Sequence, residues 1–416
     1  MIAKNRFIFL IFLFSIALNS SNTHKQIKVF NIDPIILRML SHNDVHIDHS
    51  YLDSDNNLIF DISEYDESII ESLAIEYEIL INDLDAHYKS RLTTNYTREF
   101  GVGSMGGYYT FEEIVDNLDV LHNQYPHIIG QKVSIGQSIQ GNDIWAIKVG
   151  NYSNEGLQKP QVLYTGLHHA REPMSYMNLF YYLYWLCENY QLDDDATKIL
   201  DTRELWFIPA VNPDGLIYNE ENDPMGGGWH RKNMRSVCNP GYSYYTQNNE
   251  YYNPGVDLNR NYNYQWGLND EGSSPDECSW TYRGEFSFSE PETETIKNFI
   301  ENNEFQLAFN YHSYGNLLIH PFGYSYENQV PEEDLLFFKE LGKKMVKFNN
   351  YTLGAGPEIL YPVNGEACDW MYGELGIFAY TPEIGNYNDG FWPQTSRIVP
   401  LAEENLYPNQ FLGLVT

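Results

Sequence analysis

Alternation of apolar and polar positions divides the chain into two unequal patterns. Residues 26–91 run strand, helix, strand, strand, helix, strand. Residues 27–32 are extended, 34–41 helical, 45–51 and 58–62 alternate like paired strands, 66–77 are helical and 79–82 extended. That order predicts a small ferredoxin-like α+β unit, and none of its residues form a constellation that looks catalytic. Residues 89–107 follow as a polar, glycine-rich connector carrying Lys89, Arg91 and Arg98, the pattern of a protease-sensitive linker.

The longer pattern opens at Thr110-Phe111-Glu112-Glu113, a capping box, with apolar residues at Phe111, Ile114, Val115, Leu118 and Leu121 in helical spacing. Strands are expected over 131–135, 143–149, 161–165, 204–208, 306–311 and 377–381. Helices are expected over 174–190, over 291–302 behind a cap at Ser289, and over 334–349. Strands and helices that alternate in this way predict an α/β domain, a mixed sheet flanked by helices.

Composition narrows the picture. A chain of 416 residues is long enough for one large domain and a smaller one. With 25 Lys plus Arg against 57 Asp plus Glu, the net charge of −32 argues against nucleic acid or an anionic membrane surface as partner. Residues 1–21 have a basic start at Lys4 and Arg6, an apolar core over 7–18 and small or polar residues after it, the form of a secretory signal. That apolar run is too short for a membrane span, no later stretch is long enough, and export is the expected destination. Of the four cysteines, Cys187 sits in an apolar run and reads as a buried thiol, whereas Cys238 and Cys278 lie in polar surroundings suited to a disulfide. Asn95, Asn151 and Asn350 begin glycosylation acceptors.

The candidate chemistry gathers after the strands. The run from Gln161 to Pro173 reads as a short strand entering a helix, with His168, His169, Arg171 and Glu172 between. His169 and Glu172, three apart, face one side of a helical turn and suit one metal ion, although such a pair alone more often caps or solvates a helix. Asn212-Pro213-Asp214-Gly215 follows a second strand, His312 a third and Glu383 a fourth. Groups at the carboxyl ends of strands converge in open α/β sheets. A catalytic zinc takes three protein ligands and a water, and His312 is the candidate third ligand, in competition with His168, His230 and His320.

His169-Ala170-Arg171-Glu172, Gly255-Val256-Asp257-Leu258-Asn259-Arg260-Asn261, His312-Ser313-Tyr314 and Thr381-Pro382-Glu383 occur in that order. In this the chain resembles the zinc carboxypeptidases of the pancreatic carboxypeptidase A type, and most of all their bacterial carboxypeptidase T-like members. The resemblance runs from about Tyr108 to the end, and residues 22–91 resemble the family's inhibitory prosegment. It implies a mixed, mainly parallel sheet, one zinc ion held by His169, Glu172 and His312, and Glu383 as general base. It further implies that Arg231, with Arg235 as fallback, steadies the oxyanion, and that Asp257 orients the first zinc-bound imidazole. Asn259 and Arg260 would clamp the substrate's terminal carboxylate, Tyr361 would close over it, and Arg171 would assist binding.

The family's main specificity position falls on Cys368, near Gly323, Val363 and Thr381. A small, nearly apolar thiol there implies a preference for aromatic and aliphatic C-terminal residues. Glu366 reads as a solvated loop charge, and only if turned into the pocket would it admit basic residues. The expected organisation is a signal peptide over 1–21, a prosegment over 22–91, an activation linker over 92–107 and a catalytic domain over 108–416. The expected partners are peptide or protein C-termini and an activating protease. A related amidohydrolase or cell-wall peptidase has less need of the Asn259–Arg260 clamp, and a non-catalytic zinc-binding protein has no need of Glu383.

Overall fold

The computed structural model describes residues 24–43, 45, 47, 49–93, 103–154, 158–238 and 253–416. The signal-like segment over 1–21, Asn95 and the linker residue Arg98 lie outside the described residues.

Strands β1 (Lys25–Val29), β2 (Tyr51–Leu52), β3 (Leu58–Ile62) and β4 (Tyr77–Ile81) form a sheet in the order β2-β3-β1-β4, every pair antiparallel. With α1 (Pro34–His42) and α2 (Glu64–Ser72) between them, this is the expected ferredoxin-like order. Ile27, Val29, Phe60 and Ile62, alternate residues of two neighbouring strands, make its core with Ile70 of α2. Two expectations change here. The strand expected over 45–51 is reduced to Tyr51–Leu52, because His49 takes a left-handed backbone (φ 58) that breaks the extended run. The helix expected over 66–77 begins at Glu64, because Ser63 and Asp66 form a reciprocal capping box, and it ends at Ser72.

Helix α3 (Leu84–Arg91), capped by Asp83, occupies the start of the expected linker, so Lys89 and Arg91 are helical rather than loop residues. Both are engaged with the larger domain. Arg91 donates to the carbonyls of Asn388, Asp389 and Trp392 at 2.7, 2.9 and 3.1 Å, and Lys89 pairs with Asp223.

The larger domain is built on eight strands: β5 (Val133–Gln137), β6 (Asp143–Val149), β7 (Gln161–Gly166), β8 (Glu204–Ile208), β9 (Phe305–Tyr311), β10 (Leu317–His320), β11 (Thr352–Ala355) and β12 (Phe378–Glu383). Their order is β11-β10-β12-β9-β7-β8-β6-β5, with β12, β9, β7 and β8 parallel at the centre, β10 antiparallel to β12 and parallel to β11 on one side, and β6 and β5 joined by antiparallel pairs on the other. Helices α4 (Phe111–Gln124), α5 (Met174–Asn189), α6 (Asp194–Thr202), α7 (Pro213–Asn222), α8 (Pro291–Glu301), α9 (Glu332–Met345), α10 (Gly356–Ile359), α11 (Ala367–Leu375) and α12 (Ile398–Val415) surround it.

The period of two along β7 sorts the two cores. Val162 and Tyr164 face Phe180 of α5 and Leu401 of α12, while Leu163 faces Ile296 of α8 and Trp370 of α11. A parallel strand buried on both faces is mainly apolar, as β7 and β9 are, and their two buried polar residues satisfy each other, the Thr165 hydroxyl donating to Asn310 Oδ1 at 2.8 Å. Helix α8 starts from Glu290 without a side-chain cap, since the hydroxyl of Ser289, the expected cap, donates to Glu290 Oε1 instead. Cys238 and Cys278 are joined in a disulfide, and Cys187 and Cys368 are buried free thiols. No helix among the described residues is long and apolar enough to cross a membrane.

Candidate active site

The parallel strands β7, β9 and β12 end at one edge of the sheet, and each delivers a polar side chain there. After β7 the backbone turns with Leu167 left-handed (φ 58), and His169 and Glu172 sit in this turn rather than in α5. Ser175 fixes the turn: its hydroxyl accepts from Leu167 N–H at 2.9 Å and donates to Glu172 O at 2.6 Å. Ala170 N–H donates to Arg231 O at 3.0 Å, and Asn212 Nδ2 donates to the carbonyl of His168 at 3.2 Å. Asn212 also caps α7, so the Asn-Pro-Asp-Gly run buttresses the site from behind.

His312 follows β9 and Glu383 ends β12. The two residues form a bridge pair, with His312 N–H donating to Pro382 O and Ile384 N–H to His312 O, both at 2.9 Å. His169 Nδ1 lies 2.9 Å from Glu172 Oε1, His312 Nδ1 lies 2.9 Å from Glu172 Oε2, and the two Nδ1 atoms are 3.0 Å apart. Ligand atoms about 2.0–2.1 Å from a tetrahedral ion lie roughly 3.3 Å from one another, so this spacing fits zinc. His169 donates its Nε2–H to Asp257 Oδ1 at 3.0 Å, which leaves a bare Nδ1 turned to the cluster. All three groups are buried, with exposures of 3%, 0% and 1%. The competing histidines are engaged elsewhere: His168 with the Tyr262 hydroxyl, His230 with Asn233 O and His320 with Pro321 O.

Glu383 supplies a further sign that the cluster wants company. Its Oε2 is buried without a hydrogen-bond partner, and burial, followed by the charge of Glu172, pushes its pKa well above the carboxylate range. A carboxylate with an unsatisfied oxygen beside a two-imidazole, one-carboxylate cluster fits a site meant to hold a metal and a water.

A cleft opens beside the cluster, lined among others by Arg231, Asn259, Arg260, Tyr361 and Glu383. Arg231 is anchored by Asp257 Oδ2, 3.1 Å from its Nε and 2.9 Å from its Nη2, and its Nη1 lies 3.7 Å from Glu172 Oε1. Burial opposes the charge of Asp257, but Arg231 and His169 hold its pKa well below the usual value. Arg235, the fallback, pairs with Glu290 and does not line the cleft. Asn259 accepts from Ala367 N–H at 3.0 Å, and Arg260 donates to Gly272 O at 2.6 Å and Asn259 O at 2.9 Å.

Two expected binding residues stand outside this lining. Arg171 is enclosed by the rings of Trp229, Trp280 and Phe391, 5.2, 4.9 and 4.0 Å from its guanidinium carbon. The Cys368 thiol turns to the carbonyl of Ala379 at 3.2 Å. Glu366, expected to be a solvated loop charge, instead lines the cleft and is 5% exposed, because the bare Cα of Gly323 leaves room for its carboxyl. Sequence reasoning also missed His49, which reaches the cleft from the N-terminal unit. Its Nδ1 bonds Tyr314 O at 3.0 Å and its Nε2 lies 3.9 Å from Glu172 Oε1.

Known proteins resemble this chain in sequence and in fold. The peptidase M14 zinc carboxypeptidase family profile matches residues 114–408. The chain is 30% identical to carboxypeptidase A1 of Homo sapiens over 356 residues, covering 80% of this chain and 77% of that protein. It is 28% identical to mast cell carboxypeptidase A of Homo sapiens over 369 residues, 85% and 82% of the two chains. The crystal structure of a carboxypeptidase A from Helicoverpa armigera superposes with a TM-score of 0.75 at 22% identity, over 95% of this chain and 97% of that one. The chain therefore belongs to the zinc carboxypeptidase family and is a metallocarboxypeptidase.

Proposed function

We propose that the chain is the secreted zymogen of an exopeptidase that removes the C-terminal residue of peptides and proteins, with Glu383 as general base. The observation that carries the reading is the convergence of His169, Glu172 and His312 with Glu383, Arg231, Asn259 and Arg260 on one cleft. When bound by the three ligands, zinc supplies the positive charge that acidifies a water and polarises the scissile carbonyl. Glu383, with its unsatisfied oxygen beside the cluster, takes the proton of the attacking water and returns it to the leaving amine. Arg231, held rigid by Asp257, presents fixed positive charge where the oxyanion develops. Asn259 and Arg260 receive the terminal carboxylate in a charge-assisted contact, and Tyr361 at the rim closes over it.

The zymogen reading rests on His49. An imidazole from the N-terminal unit, hydrogen-bonded to Tyr314 O beside the cluster, takes space that a substrate needs. Tyr314 in turn donates to Asp61 Oδ2 at 3.4 Å, and Arg91 ties α3 to the segment 388–392. Because Lys89 and Arg91 are engaged in that docking, Arg98 is the better of the basic candidates for the activating cut. Secretion is supported by the signal-like start and by the disulfide, which suits an oxidising compartment. For substrate preference, Ile319, Leu360 and Val363 give the cleft the apolar walls that aromatic and aliphatic residues need; the carboxylate of Glu366 among them does not suit such residues.

The test is release of the last residue from a blocked dipeptide, before and after limited proteolysis in the 92–107 linker, with the new N-terminus sequenced. The reading expects turnover to rise on cutting. Full turnover in the uncut chain would remove the zymogen part of the proposal.

A further inference from the structure

The cleft holds a charge that hydrolysis does not use. Glu366, at the start of α11, rests on Gly323 so closely that a Cβ on that glycine would lie 2.3 Å from Glu366 Oε1. Behind it Asp369 is fully buried, and both its oxygens accept the N–H of Gly323, at 3.0 and 2.9 Å. Glu366 and Asp369, three apart around the start of α11, both meet Gly323, so their carboxyls share one buried site. Two carboxyls that share a buried site do not readily both ionise, so the pair carries a single negative charge. Asp369 is occupied by backbone donors, so the face turned to the cleft belongs to Glu366.

We propose that Glu366, backed by Asp369, makes this cleft select C-terminal residues whose side chains end in a cation, lysine or arginine, over aromatic and aliphatic ones at neutral pH. The proposal deepens the carboxypeptidase reading of the same site and rests on it. The methylenes of a lysine or arginine lie along Ile319, Leu360 and Val363, and its charge ends at the carboxyl pair, which it neutralises with no change in the proton count. An apolar side chain in the same place strands the charge in a pocket emptied of water, which is strongly unfavourable unless the pair takes up a second proton. Burial, the largest cause for each, raises both carboxyls above the ordinary range, so that proton arrives as the pH falls. The other charged or titratable groups facing the pair are Arg260, from the short turn over 258–260 ahead of α8, Cys368 on α11, Glu383 at the end of β12, and Tyr264 and Tyr324, which face Asp369. Arg260 favours the ionised pair, and Glu383 opposes a further negative charge.

The experiment compares kcat/KM of the activated enzyme on blocked dipeptides ending in Arg, Lys, Phe and Leu between pH 5.5 and 8.5, for the wild type and Glu366→Gln. The wild type is expected to favour Arg over Phe at pH 7.5, with the ratio falling as the pH falls. The variant is expected to lose about 10²-fold on Arg, the scale of removing one partner of a buried charge pair, while Phe turnover holds or rises. Preference for Phe at every pH in the wild type would overturn the proposal even if the variant did not fold. Equal losses on Arg and Phe in a folded variant that keeps its zinc would also overturn it, assigning Glu366 a purely structural role. Failure of the underlying reading looks different, since no dipeptide would then be cleaved by the wild type at any pH.

Discussion

His312 and Glu383 form a bridge pair where β9 and β12 end, so the third proposed metal ligand and the buried carboxylate are set by one backbone register. Pro382 O accepts the N–H of His312, and any slip of β12 would separate the two groups.

That shared register makes Glu383 separable from the metal cluster by mutation. Glu383→Gln keeps the shape and the strand pairing but removes the proton acceptor. Turnover should fall by about 10²–10⁴-fold. Zinc content by elemental analysis should stay at one ion per chain, because the three ligand atoms belong to other residues.

Asp257 holds His169 Nε2 and Arg231 together. Asp257→Asn removes the charge that both partners need, and zinc affinity by chelator competition should weaken about 10–100-fold. The same change releases Arg231, so kcat should drop further even at saturating zinc. A variant with unchanged affinity and unchanged kcat would show that neither contact matters.

His49→Ala should leave the folded zymogen with a more open cleft. Uncut protein should hydrolyse small substrates about tenfold faster than uncut wild type, the equivalent of roughly 1.4 kcal/mol of lost occlusion. After cleavage and removal of the N-terminal unit, the two enzymes should be equal, since the substitution is not in the catalytic domain.

Asp61 makes docking of the N-terminal unit sensitive to pH. Burial raises its carboxyl from 3.8 to about 6, against the opposing effects of Gln26, Arg171 and Tyr314. A raised pKa in a carboxyl favours the docked, neutral form, so its contribution is complete below about 3.8 and is lost as the pH climbs through about 6. Asp85, raised to about 7 mainly by burial, acts in the same direction. His24, lowered to about 3 mainly by burial, acts oppositely below 6.5, equally in wild type and variant. The melting temperature of uncut wild type should therefore fall relative to Asp61→Asn between pH 5 and 8; parallel profiles would contradict this assignment.

The sequence made the strands of the central sheet legible because their patterning is simple. β6 and β8 have the expected bounds, and β7, β9 and β12 differ from them only at the ends. Among the elements that were not foreseen, α6 and α7 do carry helix-start signals, Asp193 as cap of the first and Asn212-Pro213 at the start of the second, but others lack such patterns. β10 has four residues, all buried, α10 is a single turn, and α12 has no side-chain cap and carries Pro408 in its interior. At the site, His169, Glu172, His312 and Glu383 were visible as ordered motifs, because each ends or follows a recognisable strand. His49 and Glu366 were not. His49 lies where an extended pattern breaks, and nothing local says that the break points at another domain. A charge between Gly365 and Ala367 reads as a loop until the fold sets it against Gly323. Cys368 was selected by counting along the chain, yet its thiol turns to the carbonyl of Ala379 and the cleft is faced by its neighbour two positions earlier.

The central claim is that His169, Glu172 and His312 hold the ion on which hydrolysis at a free C-terminus depends. The most direct measurement follows release of the last residue from a blocked dipeptide by the activated enzyme, against the same peptide amidated at its C-terminus, with a chelator and after zinc is restored. Cleavage of the free acid alone, lost with the chelator and recovered with zinc, is the predicted result. Cleavage indifferent to the chelator, or equal on the amide, would contradict it.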